Sequence, residues 1–125
     1  MRLLLLFIFS PFLLFSQVQI GNDIDGVTAG DNSGYISFSS DGTVVAIGGP
    51  GNDTNGTDAG HVRVFANKFG VWTQVGNDIV GETAGENFGN SISLSSDGTI
   101  VAIGSPNADG AGYVSIYVIR RNVWV

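Results

Sequence analysis

The chain contains no cysteine, only five lysines and arginines among 125 residues, and no long hydrophobic run outside its first sixteen positions. Without cysteine there is no disulfide framework, no thiolate zinc site, no cysteine nucleophile and no acylated lipoprotein anchor. With so few bases against eleven acids, and a net charge of −6, the chain cannot replace the counterions that a nucleic-acid surface requires. Helical spacing is missing too: no window places apolar residues at three- and four-residue intervals. One histidine and no convincing nucleophile–base–acid set leave catalysis without a sequence signature. What the chain has in excess is glycine, 19 of 125 residues, well above ordinary usage of about 7%. The length allows one small domain.

The N-terminus reads as an address. Met1-Arg2 is followed by an apolar run from Leu3 to Phe15, interrupted by Ser10 and Pro11, and then by the small Ser16. One positive charge, an apolar stretch and a small residue form a signal-peptide layout. The run of about 13 residues is too short to cross a hydrocarbon core of about 30 Å as a helix. Residues 1–16 are therefore expected to be a signal peptide, with cleavage after Ser16. The mature chain would then be an acidic, cysteine-free exported protein with no membrane span, secreted or held at the cell surface.

The remainder is an internal duplication. Gln19-Ile20-Gly21-Asn22-Asp23-Ile24 recurs as Gln74-Val75-Gly76-Asn77-Asp78-Ile79, and Thr28-Ala29-Gly30 recurs as Thr83-Ala84-Gly85. After one inserted residue, Ser39-Ser40-Asp41-Gly42-Thr43 recurs as Ser95-Ser96-Asp97-Gly98-Thr99, and Val45-Ala46-Ile47-Gly48 as Val101-Ala102-Ile103-Gly104. The copies diverge between Gly51 and Ala59, where the first is longer. They meet again at Gly60/Gly112, Val62/Val114 and Val71-Trp72/Val123-Trp124. A period of this length marks a repeat architecture, with repeat one at 17–73 and repeat two at 74–125, the latter stopping inside its last strand.

Within each repeat the apolar period is two. Tyr35–Phe38 reads as a strand, Ser39–Gly42 as its turn, and Thr43–Gly48 as a β-branched strand apolar on both faces, stopped by Pro50. Gly51–Ala59 is a polar loop, 61–66 a third strand, 67–70 a turn, and Val71–Ile79 a fourth strand. The expected fold class is all-β: two four-stranded antiparallel repeats of the kind that form one blade each of a β-propeller. A ring takes four to eight blades, so two blades predict either further blades in a longer protein or closure by self-association.

Phe88-Gly89-Asn90-Ser91, Asp97-Gly98, Gly104-Ser105-Pro106 and Gly112-Tyr113-Val114 together resemble the FG-GAP repeat of integrin-α-type β-propellers. Trp72-Thr73-Gln74-Val75-Gly76-Asn77-Asp78 is similar to the connecting strand of secreted bacterial proteins built from such repeats in tandem. The first copy departs, with Ser33-Gly34 for Phe-Gly and Gly48-Gly49-Pro50 for Gly-Ala-Pro. The resemblance implies an extracellular, non-enzymatic scaffold for binding or adhesion, whose partner would be a protein or a glycan. Two other roles remain open: an accessory module of a larger extracellular enzyme, and a self-associating structural protein. Many repeats of the family carry a calcium loop between their first two strands. Here that turn is only Ser-Ser-Asp-Gly, so calcium is not carried over to Asp41 or Asp97, which are read as turn residues.

Asp53, Asn55 and Asp58 are oxygen donors spaced closely around Gly56, the best cation-wrapping loop in the chain, with Ca²⁺ the ion such donors would take. No bidentate glutamate follows them. Asn52 and Asn55 each open an Asn-x-Thr glycosylation pattern. The Gly21–Gly26 cluster and its copy lack the helix a phosphate cradle needs and read as connections between repeats. His61, replaced by Tyr113 in the second copy, reads as structural or solvated. Glu82 and Glu86 are paired acids of the type that does glycosidase chemistry, but the first copy has Val27 and Asp31 in their places, so they read as solubilising loop charges. Trp72 and Trp124 read as core or interface packing rather than sugar platforms.

Overall fold

A computed structural model describes residues 2–6 and 16–125; most of the expected signal peptide, 1–16, lies outside the described residues. Among the described residues the regular structure is strand, with one short 3₁₀ turn at Ala108–Gly110 and no α-helix. No described helix is long and apolar enough to cross a membrane.

Two antiparallel sheets hold all the strands among the described residues. The first contains β1 (Tyr35–Phe38), β2 (Val44–Gly49), β3 (His61–Lys68), β4 (Val71–Gln74) and β5 (Ile79–Val80). Its order is β1-β2-β3-β4, and β5 also pairs with β3. The second contains β6 (Ser91–Leu94), β7 (Ile100–Ser105), β8 (Tyr113–Arg120) and β9 (Val123–Trp124), in that order. Register repeats between the copies: Ile36 faces Ile47 as Ile92 faces Ile103, and Val62 faces Gly48 as Val114 faces Gly104.

The turns follow from local chemistry. In the first, Asp41 Oδ1 accepts from Ser39 Oγ at 2.9 Å, Thr43 N at 3.0 Å and Thr43 Oγ1 at 2.7 Å. Asp97 makes the same three bonds at 2.8, 3.0 and 2.7 Å. The Thr hydroxyl first, with the neighbouring N–H and Ser hydroxyl, holds both carboxyls below their ordinary value. The β3–β4 and β8–β9 hairpins turn on Phe69-Gly70 and Arg121-Asn122, all four at positive φ, the backbone of a two-residue type I′ turn.

One expectation fails in detail. The fourth strand of repeat one is not continuous over Val71–Ile79. Val75 N still bonds Val64 O at 2.8 Å, but Gly76 takes φ +74° and the chain leaves the ladder until Ile79. The outcome is a five-stranded first sheet. The cause lies in the second sheet: a Cβ on Gly76 would stand 2.7 Å from the Trp124 ring. Trp124 Nε1 donates to Val75 O at 2.8 Å, and its backbone N donates to Asn77 Oδ1 at 3.0 Å. Trp72 treats the earlier copy in the same way, donating to Ile20 O at 2.8 Å, with Gly21 against its ring.

The core lies between the sheets. One face of the first sheet, its forward face, carries Ala46, Val62 and Val64; these pack on Leu94, Val101, Ile103 and Trp124, the rear face of the second. The rear face of the first sheet carries the matching cluster Val45, Ile47 and Phe65, backed by Ile24 and Trp72. Glycine sets how closely the sheets approach. A Cβ on Gly48 would clash with the Gly89 carbonyl, and one on Gly60, already at φ +84°, with the Phe88 backbone. Polar bonds then fix the register: Leu94 N to Ser37 Oγ at 2.9 Å, Ser40 N to Ser96 O at 2.9 Å, and Asn87 Nδ2 to Pro50 O at 3.2 Å.

Gly48→Ala is therefore expected to cost about 1–3 kcal/mol as an overpacking defect, read from urea midpoints. Gly104→Ala, whose Cβ meets only the rotatable Ser91 hydroxyl, should unfold close to wild type. Equal behaviour of the two would refute the close-approach account.

Candidate functional site

Loops 26–34, 50–60, 81–90 and 106–112 gather at one end of the two sheets, and each repeat anchors them with a buried carboxylate. Asp31 and Glu86, equivalent in the duplication, are each 2% exposed. Asp31 Oδ2 accepts from Val27 N at 3.1 Å and Thr28 N at 3.0 Å. Its Oδ1 accepts from Thr28 Oγ1 at 2.5 Å and Asn52 Nδ2 at 3.2 Å. Glu86 Oε1 accepts from Glu82 N at 2.7 Å and Oε2 from Thr83 Oγ1 at 3.0 Å. The Tyr113 hydroxyl lies 3.1 and 3.2 Å from the two Glu86 oxygens. In the first repeat His61 takes the tyrosine's place, its Nε2 3.9 Å from Asp31 Oδ2 and without a hydrogen-bond partner.

The reading of Glu86 as a solubilising charge is thus corrected. Only Glu82 is exposed; Glu86 is a loop clamp whose ligands are backbone and hydroxyl donors. A buried carboxylate is tolerable only when its oxygens are filled this way. The signal was present in the sequence. Thr28-Ala29-Gly30-Asp31 and Thr83-Ala84-Gly85-Glu86 each place an acid three residues after a threonine, a spacing suited to local side-chain-to-backbone bonds.

Electrostatics follow the packing. Burial tends to raise the Asp31 carboxyl, but the Thr28 hydroxyl and N–H, the Asn52 amide and His61 outweigh it and hold it below 3.8. His61, 1% exposed, is pushed below 6.5, first by burial and then by Arg63, with Asp31 and Asp78 opposing. Burial lifts the Tyr113 phenol, and Glu86 adds to the shift. His61 belongs to the interior at the head of β3; it is not solvated. Nothing among these groups is placed as a nucleophile with its base.

The loop of Asp53, Asn55 and Asp58 is used structurally. Asp53 Oδ1 accepts from Asp58 N at 2.8 Å. Asn55 Nδ2 donates to the Gly81 and Glu82 carbonyls at 2.8 and 3.1 Å, tying the loop to the second repeat. Asn52, the other glycosylation candidate, is buried against Asp31. Among the described residues no three acidic or histidine side chains group to hold a metal. Asp53, Thr54, Thr57 and Asp58 remain exposed at the loop tip. A separate groove of about 510 Å³ lies between the Gly21–Asp25 segment and β3, where Arg63 Nη2 donates to Asp25 O at 2.5 Å and the guanidinium sits 5.3 Å over Phe65.

No known family model and no curated protein matches this chain.

The signs of two predictions follow. The folded His61 resists a proton that the unfolded chain accepts, so its contribution to stability is intact above 6.5 and lost as pH falls below it. Asp31, depressed, contributes above 3.8 and loses its share only at lower pH. Urea midpoints at about pH 7.5 and about pH 5.5 should therefore fall for wild type and fall less for His61→Phe; parallel slopes would show a freely titrating imidazole. Tyr113→Phe strips one donor from a buried carboxylate and should cost about 1–2 kcal/mol, whereas Glu82→Ala should stay within about 0.5 kcal/mol of wild type.

Proposed function

We propose that the chain is a two-blade segment of an exported β-propeller of the FG-GAP kind, acting as a non-enzymatic scaffold that binds an extracellular protein or glycan. One observation carries the reading. The residues that recur between the copies are those of packing and turns, while the copies differ most in the loop between the second and third strands. There the first repeat displays Asp53, Thr54, Thr57 and Asp58 to solvent, and its second copy is shorter. A constant frame with one variable, exposed polar loop is the layout of a recognition module. Propeller membership is supported by two antiparallel units, each with a four-stranded up-and-down path, stacked face to face through apolar side chains. Export is supported by the leader-like Met1–Ser16. The clamped carboxylates support binding over catalysis, because their oxygens are already occupied by structural donors.

Arrays of glycans and of extracellular matrix proteins, probed with the chain, test this. The expected result is a ligand whose affinity falls at least tenfold in Thr54→Ala/Thr57→Ala/Asp58→Asn with an unchanged melting curve, asparagine being chosen at position 58 because it tolerates the positive φ there. Chelation of divalent ions in a parallel arm reads whether Asp53, Asn55 and Asp58 hold Ca²⁺ during binding. No ligand on either array, or hydrolysis of an array component, would defeat the scaffold reading.

A further inference from the structure

The contact between the two sheets is heterologous: the forward face of the first meets the rear face of the second. Among the described residues one copy of each face is therefore left without a second sheet packed on it. The unused forward face belongs to the second sheet. Val114 and Ile116 stand where Val62 and Val64 stand in the first, yet they are 67% and 69% exposed, while Val62 and Val64 are fully buried. The rear face of the first sheet is covered only in part, by Ile24 and Trp72 over Val45, Ile47 and Phe65. Ile36 and Phe38, in the places of Ile92 and Leu94, are 59% and 50% exposed.

We infer that these two faces are complementary and that a second copy of this chain docks on the first head to tail. The internal interface is the template, and most of its determinants recur in both copies, the buried Phe88 being replaced by Ser33. Gly48 admits the Gly89 carbonyl; Gly104 and Gly34 keep glycine at both places. Gly98 lies against Val44; Gly42 and Ile100 keep the small residue and the β-branched one. Ser37 Oγ accepts from Leu94 N, and Ser93 stands ready for Phe38 N. Asn87 donates to Pro50 O; Asn32 shares its positive φ of 54°, and Pro106 offers the carbonyl.

The edge of β8 gives an independent reason. In the first sheet, Ile79 and Val80 pair with Val62 and His61 beyond the end of β4. In the second, β9 pairs only near Ile119 and Arg120, and no described strand pairs with that edge at Tyr113 and Val114. A second copy supplies the missing piece with its own Ile24 and Asp25, the residues equivalent to Ile79 and Val80. Docking thus covers an apolar face and extends a strand edge in one step. Because the contact is heterologous, it closes into a ring or runs on as a filament; it does not stop at a symmetric pair.

The inference rests on the repeat-array reading, but its readout is mass alone. Failure to find an extracellular ligand leaves it standing, and failure to associate leaves ligand binding measurable. Among the described residues every strand, hydrogen bond and core residue lies within 17–125, and Leu3 to Leu6 are exposed, so that segment is the one to measure. Sedimentation of wild type should give masses above one chain that rise with concentration or settle at a ring. Ile36→Asp removes the rear face and Ile116→Asp the forward face; each alone should sediment as a single chain. Their equimolar mixture should form a one-to-one dimer and stop there. Gly104→Ala can replace Ile116→Asp in the mixture if the charged variant loses its circular dichroism, since it should block docking without disturbing the fold. Single-chain mass for wild type, a dimer from either variant alone, or a mixture that stays at single-chain mass would each overturn the inference.

Discussion

Two backbones in near contact hold the molecule together. Gly48 and Gly60 let the first sheet come within reach of the Phe88-Gly89 backbone, with a parallel bridge between Gly60 and Phe88. At that spacing Val62 and Val64 reach Val101 and Ile103 directly, and an apolar core closes in a chain with very few large buried side chains. The serine and asparagine bonds across the seam become possible only at the same distance. Abundant glycine is usually a sign of looseness, because it loses more conformational freedom on folding than other residues. Here it supplies the approach on which the packing depends.

The second organising element is the buried acid. A chain this poor in bases cannot neutralise interior carboxylates with ion pairs, so Asp31 and Glu86 are stabilised by hydrogen bonds from backbone amides, hydroxyls and an amide side chain. The copies solve the geometry in two ways. The longer glutamate meets the tyrosine hydroxyl directly, whereas the shorter aspartate stops 3.9 Å from the imidazole and is satisfied by Asn52 from the longer loop instead. Side-chain length, aromatic partner and loop length therefore change together between the repeats.

The sequence made the strands legible because each is short, β-branched and bounded by a turn with explicit chemistry. Tyr35–Phe38 is found at its expected bounds, and the Ser-Ser-Asp-Gly turn forms as read. The break at Gly76–Asp78 was not legible, since its cause is the Trp124 ring, which is distant in sequence and arrives from the other sheet. The buried role of Glu86 is hidden in the sequence for a related reason. Charge read along a chain says solvent, and only the threonine three residues earlier hinted at a clamp. Both tryptophans are packing residues, as their recurrence implies, but their indole N–H bonds to the preceding connection are visible only in three dimensions.

Those indole bonds have a consequence for growth of such an array. Trp72 closes a loop to Ile20 over 52 residues and Trp124 to Val75 over 49. Closing a segment of that size costs on the order of 3–4 kcal/mol in chain entropy beyond a fixed constant. The separation is nearly the same both times, so the entropic toll of each added unit does not rise with the number already present. As the chain lengthens, its relative contact order falls, and closure stays local to one period. A unit can lock onto the connection before it as soon as its own tryptophan leaves the ribosome, in the N-to-C order in which synthesis delivers it.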